Sequence, residues 1–116
     1  MAKHNEIGKY GERLAVVFFE NLGYQIIHKN WRYGHLEIDL IAHKRGVLHF
    51  IEVKTKSSNR YGFPEEEVSK QKLQKLINAS EEFLRAFPDW QNIQFDILAI
   101  TLKPSIAYFL IEDAYM

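Results

Sequence analysis

The sequence predicts an α/β domain, a mixed five-stranded sheet flanked by helices, in the order α-β-β-β-α-β-β. Three observations predict it. Two stretches carry apolar residues at helical spacing, and five shorter ones are rich in β-branched, aromatic and aliphatic residues. Glycine, proline or polar clusters separate them. The chain has 116 residues, 47% of them hydrophobic, with no linker, repeat or low-complexity tract, which implies one domain over 1–116.

Residues 6–22 read as the first helix, with Ile7, Gly11, Leu14, Phe18 and Leu22 as its stripe and Gly23 as its stop. YQIIH, residues 24–28, reads as a short strand, and Asn30 to Gly34 as its exit. Residues 36–42 and 47–55 read as strands around the turn HKRG, and 56–63, KSSNRYGF, as a mobile loop. Pro64 and the glutamates after it suit the start of a second helix, because acids there oppose the helix dipole. Its stripe is Leu73, Leu76, Ile77, Ser80, Leu84 and Phe87, and Pro88 ends it. Residues 93–102 and 106–112 are the last two strands, separated by Lys103-Pro104-Ser105.

Composition narrows the function. There is no cysteine, which excludes disulfides and thiolate metal sites and fits a reducing compartment. The opening residues, MAKHNEIGKYGE, hold no apolar signal region, and AVVFF is too short to span a bilayer. A cytoplasmic protein is the expectation. Net charge is zero, yet residues 28–75 carry ten basic groups against six acidic, while 76–116 carry two against six. The basic middle of the chain is also where acids enter apolar strands.

Those acids are Glu37, Asp39 and Glu52, with Lys54 two residues after the last. Side chains alternate along a strand, so Glu37, Asp39 and Ile41 share one face, as do Phe50, Glu52 and Lys54. An even-length HKRG loop would set Ala42 against Val47, Glu37 against Glu52, and Asp39 diagonal to Glu52, roughly 7–8 Å apart at the backbone. Facing like charges are destabilising unless something binds between them. Two oxygen ligands plus water suit Mg²⁺ or Mn²⁺, and a neighbouring lysine can orient a water and stabilise charge on a phosphate. The pattern therefore points to metal-assisted phosphodiester cleavage. The competing reading is a pair of half-exposed strand acids bridged by Lys54.

Asp39 followed by Glu52-Val53-Lys54 resembles the D…ExK signature of the PD-(D/E)XK nuclease superfamily, whose restriction-endonuclease-like core has the order αβββαβ. More closely, the chain is similar to the YraN-like family of small bacterial proteins, which resemble Holliday-junction resolvases. The residues that carry this are GKYGERLA from Gly8, Gly23-Tyr24, Asn30-Trp31-Arg32, Glu37 to Ala42, Phe50 to Lys54, Tyr61-Gly62, Lys72 and Phe95-Asp96. Two positions depart from the family pattern. Leu36 stands where glycine is usual, and Gln94 where arginine is usual.

The resemblance implies a DNA endonuclease acting on branched or single-stranded DNA. Asp39 and Glu52 would hold Mg²⁺ or Mn²⁺, with the Val53 carbonyl as a third ligand, and Lys54 would assist the water. Glu12 would reach the site from the first helix; otherwise it is a solvated carboxylate or a partner of Arg13 or Lys9. Glu37 would join the acids or pair with Arg32 or Lys54. Close approach of the first helix to the sheet or to a phosphate would explain Gly8 and Gly11. Lys54, Lys56, Arg60, Lys70, Lys72 and Lys75 form the densest run of basic residues and the expected DNA-binding segment. His35, His43 and His49 do not share a strand face, which argues against zinc. Trp31, Tyr33, Tyr61 and Phe63 are core or loop anchors in preference to base-stacking groups. A resolvase-like protein would act as a homodimer, with Tyr108, Phe109 and Tyr115 as the candidate face. The alternatives are a non-catalytic nucleic-acid-binding module with the same fold and a structural or adaptor protein.

Overall fold

A computed structural model describes residues 2–58 and 70–114. Its elements are α1 (Ala2–Asn21), β1 (Gln25–Tyr33), β2 (Leu36–Lys44), β3 (Val47–Ser58), α2 (Lys70–Ala86), β4 (Ile93–Lys103) and β5 (Ala107–Ile111). The expected α/β architecture is borne out. The five strands lie in chain order, antiparallel except for β3 and β4, which run parallel because α2 carries the chain between them.

Alternate residues of β3 enter two cores, so the helices cover opposite faces of the sheet. Ile51 packs with Ala15, Phe19, Leu40, Leu98 and Ile100 on the α1 face. Leu48 and Phe50 pack with Leu76, Ala79, Phe83 and Phe95 on the α2 face. The expected stripe of α2 is met in part: Leu76 and Ser80 are buried, but Ala79 and Phe83, outside it, are the other buried residues, and Phe87 is left largely exposed with its ring 4.7 Å from Phe83. Its expected start at Pro64 lies outside the described residues.

The buried line of α1 differs from the expected one. It is Gly11, Ala15 and Phe19, while Leu14, Val16 and Phe18 flank it and Leu22 is exposed. Small residues lead because the helix lies close on β3: a Cβ at Gly11 would come within 1.8 Å of the Thr55 hydroxyl oxygen. Gly8 has no neighbour that explains it. At the other end the Gly23 and Tyr24 amides donate to the Glu20 and Phe19 carbonyls, with Gly23 at φ 90° and the Tyr24 ring 5.0 Å from Phe19. This Schellman stop turns the chain into β1.

Three strand boundaries are corrected. β1 runs on through the segment expected as its exit, to Tyr33. It carries a bulge between Ile26 and His28, and Asn30 takes a left-handed backbone at φ 53°, which asparagine tolerates better than most residues. β3 extends to Ser58, so residues 56–58 are strand and not loop, and 59–63 lie outside the described residues. The β2–β3 turn has two residues, Arg45 and Gly46, at φ 51° and 82°, so Lys44 faces Val47. Positive φ at both positions is the turn whose twist matches its strands. The register is therefore displaced two residues from the expected one, with face parity preserved.

Strict alternation also fails in β2. Leu40 and Ala42 join the α1 core, but Ile38 and Ile41 both join the α2 core. The break falls at Asp39, so Asp39 and Ile41 do not simply share a face. In β1 the paired residues either side of that point are Lys29–Leu40 and Trp31–Ile38, which sets Asn30 opposite Asp39.

A polar cluster closes the far end of the α1 face. Asp96 is fully buried, with His49 Nδ1 at 2.6 Å, and it accepts from the Gln94 amide at 2.8 Å and from the Asp113 N–H at 2.9 Å. Gln94 thus satisfies the carboxylate that an arginine there could have paired with. Tyr24 stands edge-on to His49, and burial first, then the charges of Asp96 and Glu112, push its phenol pKa up.

Candidate functional site

The site begins where β2 and β3 part. Their pairing ends at Leu40–Ile51, and an antiparallel ladder would next bond Val53 to Ile38. Instead the Val53 N–H donates to Asp39 Oδ2 at 2.8 Å. A carboxylate takes the place of a backbone carbonyl and wedges the strands apart. Continuing the observed register brings Asp39 against Glu52 directly, in place of the expected diagonal, and moves Glu37 away from Glu52.

Both acids are held unwillingly as anions. Burial is the first cause that raises Asp39, the Glu52 charge the second, and the charges of Glu12 and Glu37 add to them. The Val53 N–H opposes these, and the net result is a rise from 3.8 to about 8. Glu52 is also raised, mainly by burial. Lys72, a hydrogen bond with Asp39 and Lys54 act in the other direction. Near neutral pH the pair therefore keeps a proton, with Asp39 as its bearer and Glu52 as the acceptor.

The expected residues assemble unevenly around this pair. Lys54 follows Glu52 on the α2 face of β3 and lowers its pKa, as does Lys72 at the start of α2. Lys72 and Lys75 line a cavity of about 240 Å³ with Glu37, Asp39 and Glu52. Leu36 lines it too and packs against the α2 core, filling space that glycine would leave. Lys70 is the exposed first residue of α2, Lys56 lies further along β3, and Arg60 lies outside the described residues. Glu37 takes the alternative partner, bonding Arg32 Nε at 3.0 Å in an exposed pair. Glu12 is brought near Asp39, since its charge acts there; the close seating of neighbouring Gly11 on Thr55 sets it beside the sheet.

A second cavity, of about 410 Å³, opens on the α1 side, lined by Lys9, Glu12, Arg13, Lys29, Asn30 and Asp39 among others. Asp39 lines both cavities. Sequence reasoning missed this one. The available signal was that positions 9, 12, 13 and 16 share one face of α1.

The expected donors for a divalent ion are all oxygen: Asp39, Glu52 and the Val53 carbonyl. The N–H and carbonyl of one strand residue point to the same neighbour, so the Val53 carbonyl is turned toward the Asp39 gap. Two buried acids whose pKa values are both raised would be relieved by such an ion, and the set fits a hard cation that keeps several waters. Among the described residues no group of three histidines or acids converges on one point. The histidines are dispersed: His43 Nε2 accepts from the Gly46 amide at 3.1 Å, His49 serves Asp96, and His35 lines the smaller cavity. Trp31 packs on Phe83 as a core anchor, with Tyr33 exposed beside it; Tyr61 and Phe63 lie outside the described residues.

Residues 11–100 match the family model described as "Uncharacterised protein family UPF0102". The chain belongs to the UPF0102 family. This is the YraN-like family that the sequence resembles. Relatives are UPF0102 proteins of comparable length. One from Bacteroides thetaiotaomicron is 41% identical over 100 residues, covering 86% of this chain and 83% of the relative. One from Phocaeicola vulgatus is 41% identical over 112 residues, covering 97% and 91%. One from Cytophaga hutchinsonii is 47% identical over 100 residues, covering 85% and 88%. Membership of UPF0102 carries the family and not an activity. Among the described residues no helix is long and apolar enough to cross a membrane.

Proposed function

We propose that this UPF0102 protein is a Mg²⁺- or Mn²⁺-dependent DNA endonuclease that hydrolyses phosphodiester bonds in branched or single-stranded DNA. The observation that carries the reading is the meeting of Asp39 and Glu52 where the β2–β3 ladder opens, with Lys54 and Lys72 acting on Glu52. Asp39, Glu52 and the Val53 carbonyl would hold the ion. Bound there, it would supply an acidified water and neutralise charge on the phosphate. Lys54 holds positive charge on the strand face of Glu52 and orients the attacking water. Glu12 adds a third carboxylate near Asp39, whereas Glu37 is engaged by Arg32 and has at most a supporting charge. Lys56, Arg60, Lys70, Lys72 and Lys75 contact DNA phosphates. The protein acts in the cytoplasm.

Adding Mn²⁺ to the original protein should raise its melting temperature, because an ion that binds only the folded state stabilises it. Asp39→Asn should abolish that rise together with Mn²⁺-dependent cleavage of branched DNA. Lys54→Ala should keep the rise and lose cleavage.

One observation favours a second reading. Among the described residues no three acids or histidines converge on one point, so a nucleic-acid-binding module without catalysis would also use this fold. It predicts DNA affinity indifferent to chelator and no response to Mn²⁺, with or without DNA. A homodimer would join through the edge strand β5, where Tyr108 and Phe109 are exposed, Tyr115 lying outside the described residues; light scattering at several concentrations tests it.

A further inference from the structure

We propose that the 410 Å³ cavity between α1 and the β1–β2 edge is a phosphodiester-binding subsite, which seats the DNA strand on the side of Asp39 away from α2. The subsite rests on the nuclease reading for the position of the cleaved phosphate, though not for its affinity. Three cations converge on the cavity from separate places in the chain. Lys9 and Arg13 lie one helical turn apart on α1, and Lys29 comes from β1.

Glu12 and Asp39 are on the same wall, yet Lys9 and Lys29 form no ion pair among the described residues. Arg13, its guanidinium 5.8 Å from the centre of the Tyr10 ring, likewise forms no ion pair among the described residues. Cations gathered around a cavity and not spent on the acids beside them suit an anion that carries its own repeating charge. The volume lies within the range of small-ligand sites, ~300–1,000 Å³, so a sugar-phosphate unit can enter.

The second observation is the position of Asp39. It lines this cavity and the smaller one that holds Lys72 and Lys75. A strand whose phosphate lies at Asp39 and Glu52 thus meets lysines on both sides of the sheet. Asn30 stands opposite Asp39 with a left-handed backbone, and its side-chain amide can donate to a phosphate oxygen. None of these four residues belongs to the basic segment that the sequence singles out.

The test is anisotropy of a short fluorescein-labelled single-stranded oligonucleotide and of a branched duplex, in chelator, from about 50 to 200 mM salt. Reversing charge in a Lys9→Glu, Lys29→Glu double variant should weaken binding on the order of tenfold. It should also flatten the single-strand slope of log affinity against log salt by about 1.4, the share of two phosphate contacts. The Arg45→Glu, Arg85→Glu pair makes the same change in net charge about 20 Å along β2 and α2 from the site and should bind like the original. If the reversed variant melts early, Lys9→Gln with Lys29→Gln gives the same readout.

Unchanged affinity and slope in the Lys9, Lys29 variants overturns the subsite, as does a loss no larger than the control pair's, or an original protein that binds neither probe. The Mn²⁺ melting shift and Asp39-dependent cleavage report on the metal pair alone. If those persist while affinity ignores Lys9 and Lys29, the subsite falls and the nuclease reading stands. If they are absent while affinity depends on Lys9 and Lys29, the nuclease reading falls and the subsite stands.

Discussion

Asp39→Asn should make the protein more stable at alkaline pH and less sensitive to pH. Asp39 is ionised in the unfolded chain above about pH 4, but in the folded protein it holds its proton to about pH 8. Between those values the folded state binds more protons, so stability is greatest below the lower value and falls as pH rises toward the upper one. The slope approaches about 1.4 kcal/mol per pH unit for one proton. From pH 6 to pH 8 the loss is therefore ~2–3 kcal/mol, or roughly 10 °C of melting temperature in a domain of this size. Asparagine keeps an oxygen for the Val53 N–H and an N–H₂ for Glu52, so the geometry survives without the charge. The assay is urea or thermal unfolding of both proteins from pH 5 to pH 9. The original should lose stability across that window and the variant should not, with the curves crossing well below pH 8. Parallel curves, or a variant less stable at pH 9, would refute the account of an acid held against its charge. Mn²⁺ should restore the original at pH 8 and leave the variant unmoved, since the ion takes the place of the proton.

Gly11→Ala should destabilise by about 1–3 kcal/mol in urea unfolding although alanine is the better helix former, because the new methyl overlaps Thr55; Thr55→Ala in the same chain should recover part of the loss. Asn30→Gly should be nearly neutral, whereas Asn30→Val should cost ~1–2 kcal/mol, because a β-branched residue resists φ 53°. His49→Ala should cost ~1–3 kcal/mol by removing one of the hydrogen-bond partners of buried Asp96, and hydrogen exchange at the Asp113 amide should quicken. Lys56→Glu should weaken DNA binding about equally across sequences, while an effect confined to one sequence would argue against a phosphate contact.

The order of elements was legible because each helix and strand carries its own period and its own stop. The meeting of Asp39 with Glu52 was legible from the antiparallel pairing of their strands, whereas the break in alternation at Asp39 was not. The register itself was not. Arg45 gives no sign that it will adopt positive φ, so HKRG read as a longer loop than the two-residue turn it contains. The extent of β1 was hidden at Asn30, where a residue that usually ends strands instead kinks one. Gly11 belonged to the expected stripe of α1, but the rest of the buried line, Ala15 and Phe19, was hidden, because the helix packs by close approach of small residues and not along its apolar stripe. The α1-side cavity needed the packing of α1 on the sheet, which no local pattern contains.

The Val53–Asp39 bond has a mechanical consequence. The other rungs between β2 and β3 join backbone to backbone and stay the same whatever the solution holds. This rung ends on a side chain, so a proton, an ion or a single substitution can change its strength without touching the fold's connectivity. An ion drawing on the same carboxylate competes with the Val53 N–H for its lone pairs, and loosening that contact lets the strands spread by a fraction of their spacing. The spread falls on the floor shared by both cavities. The width of the cleft is thus tied to the chemical state of the site, through a rung that ends on a carboxylate instead of a backbone carbonyl.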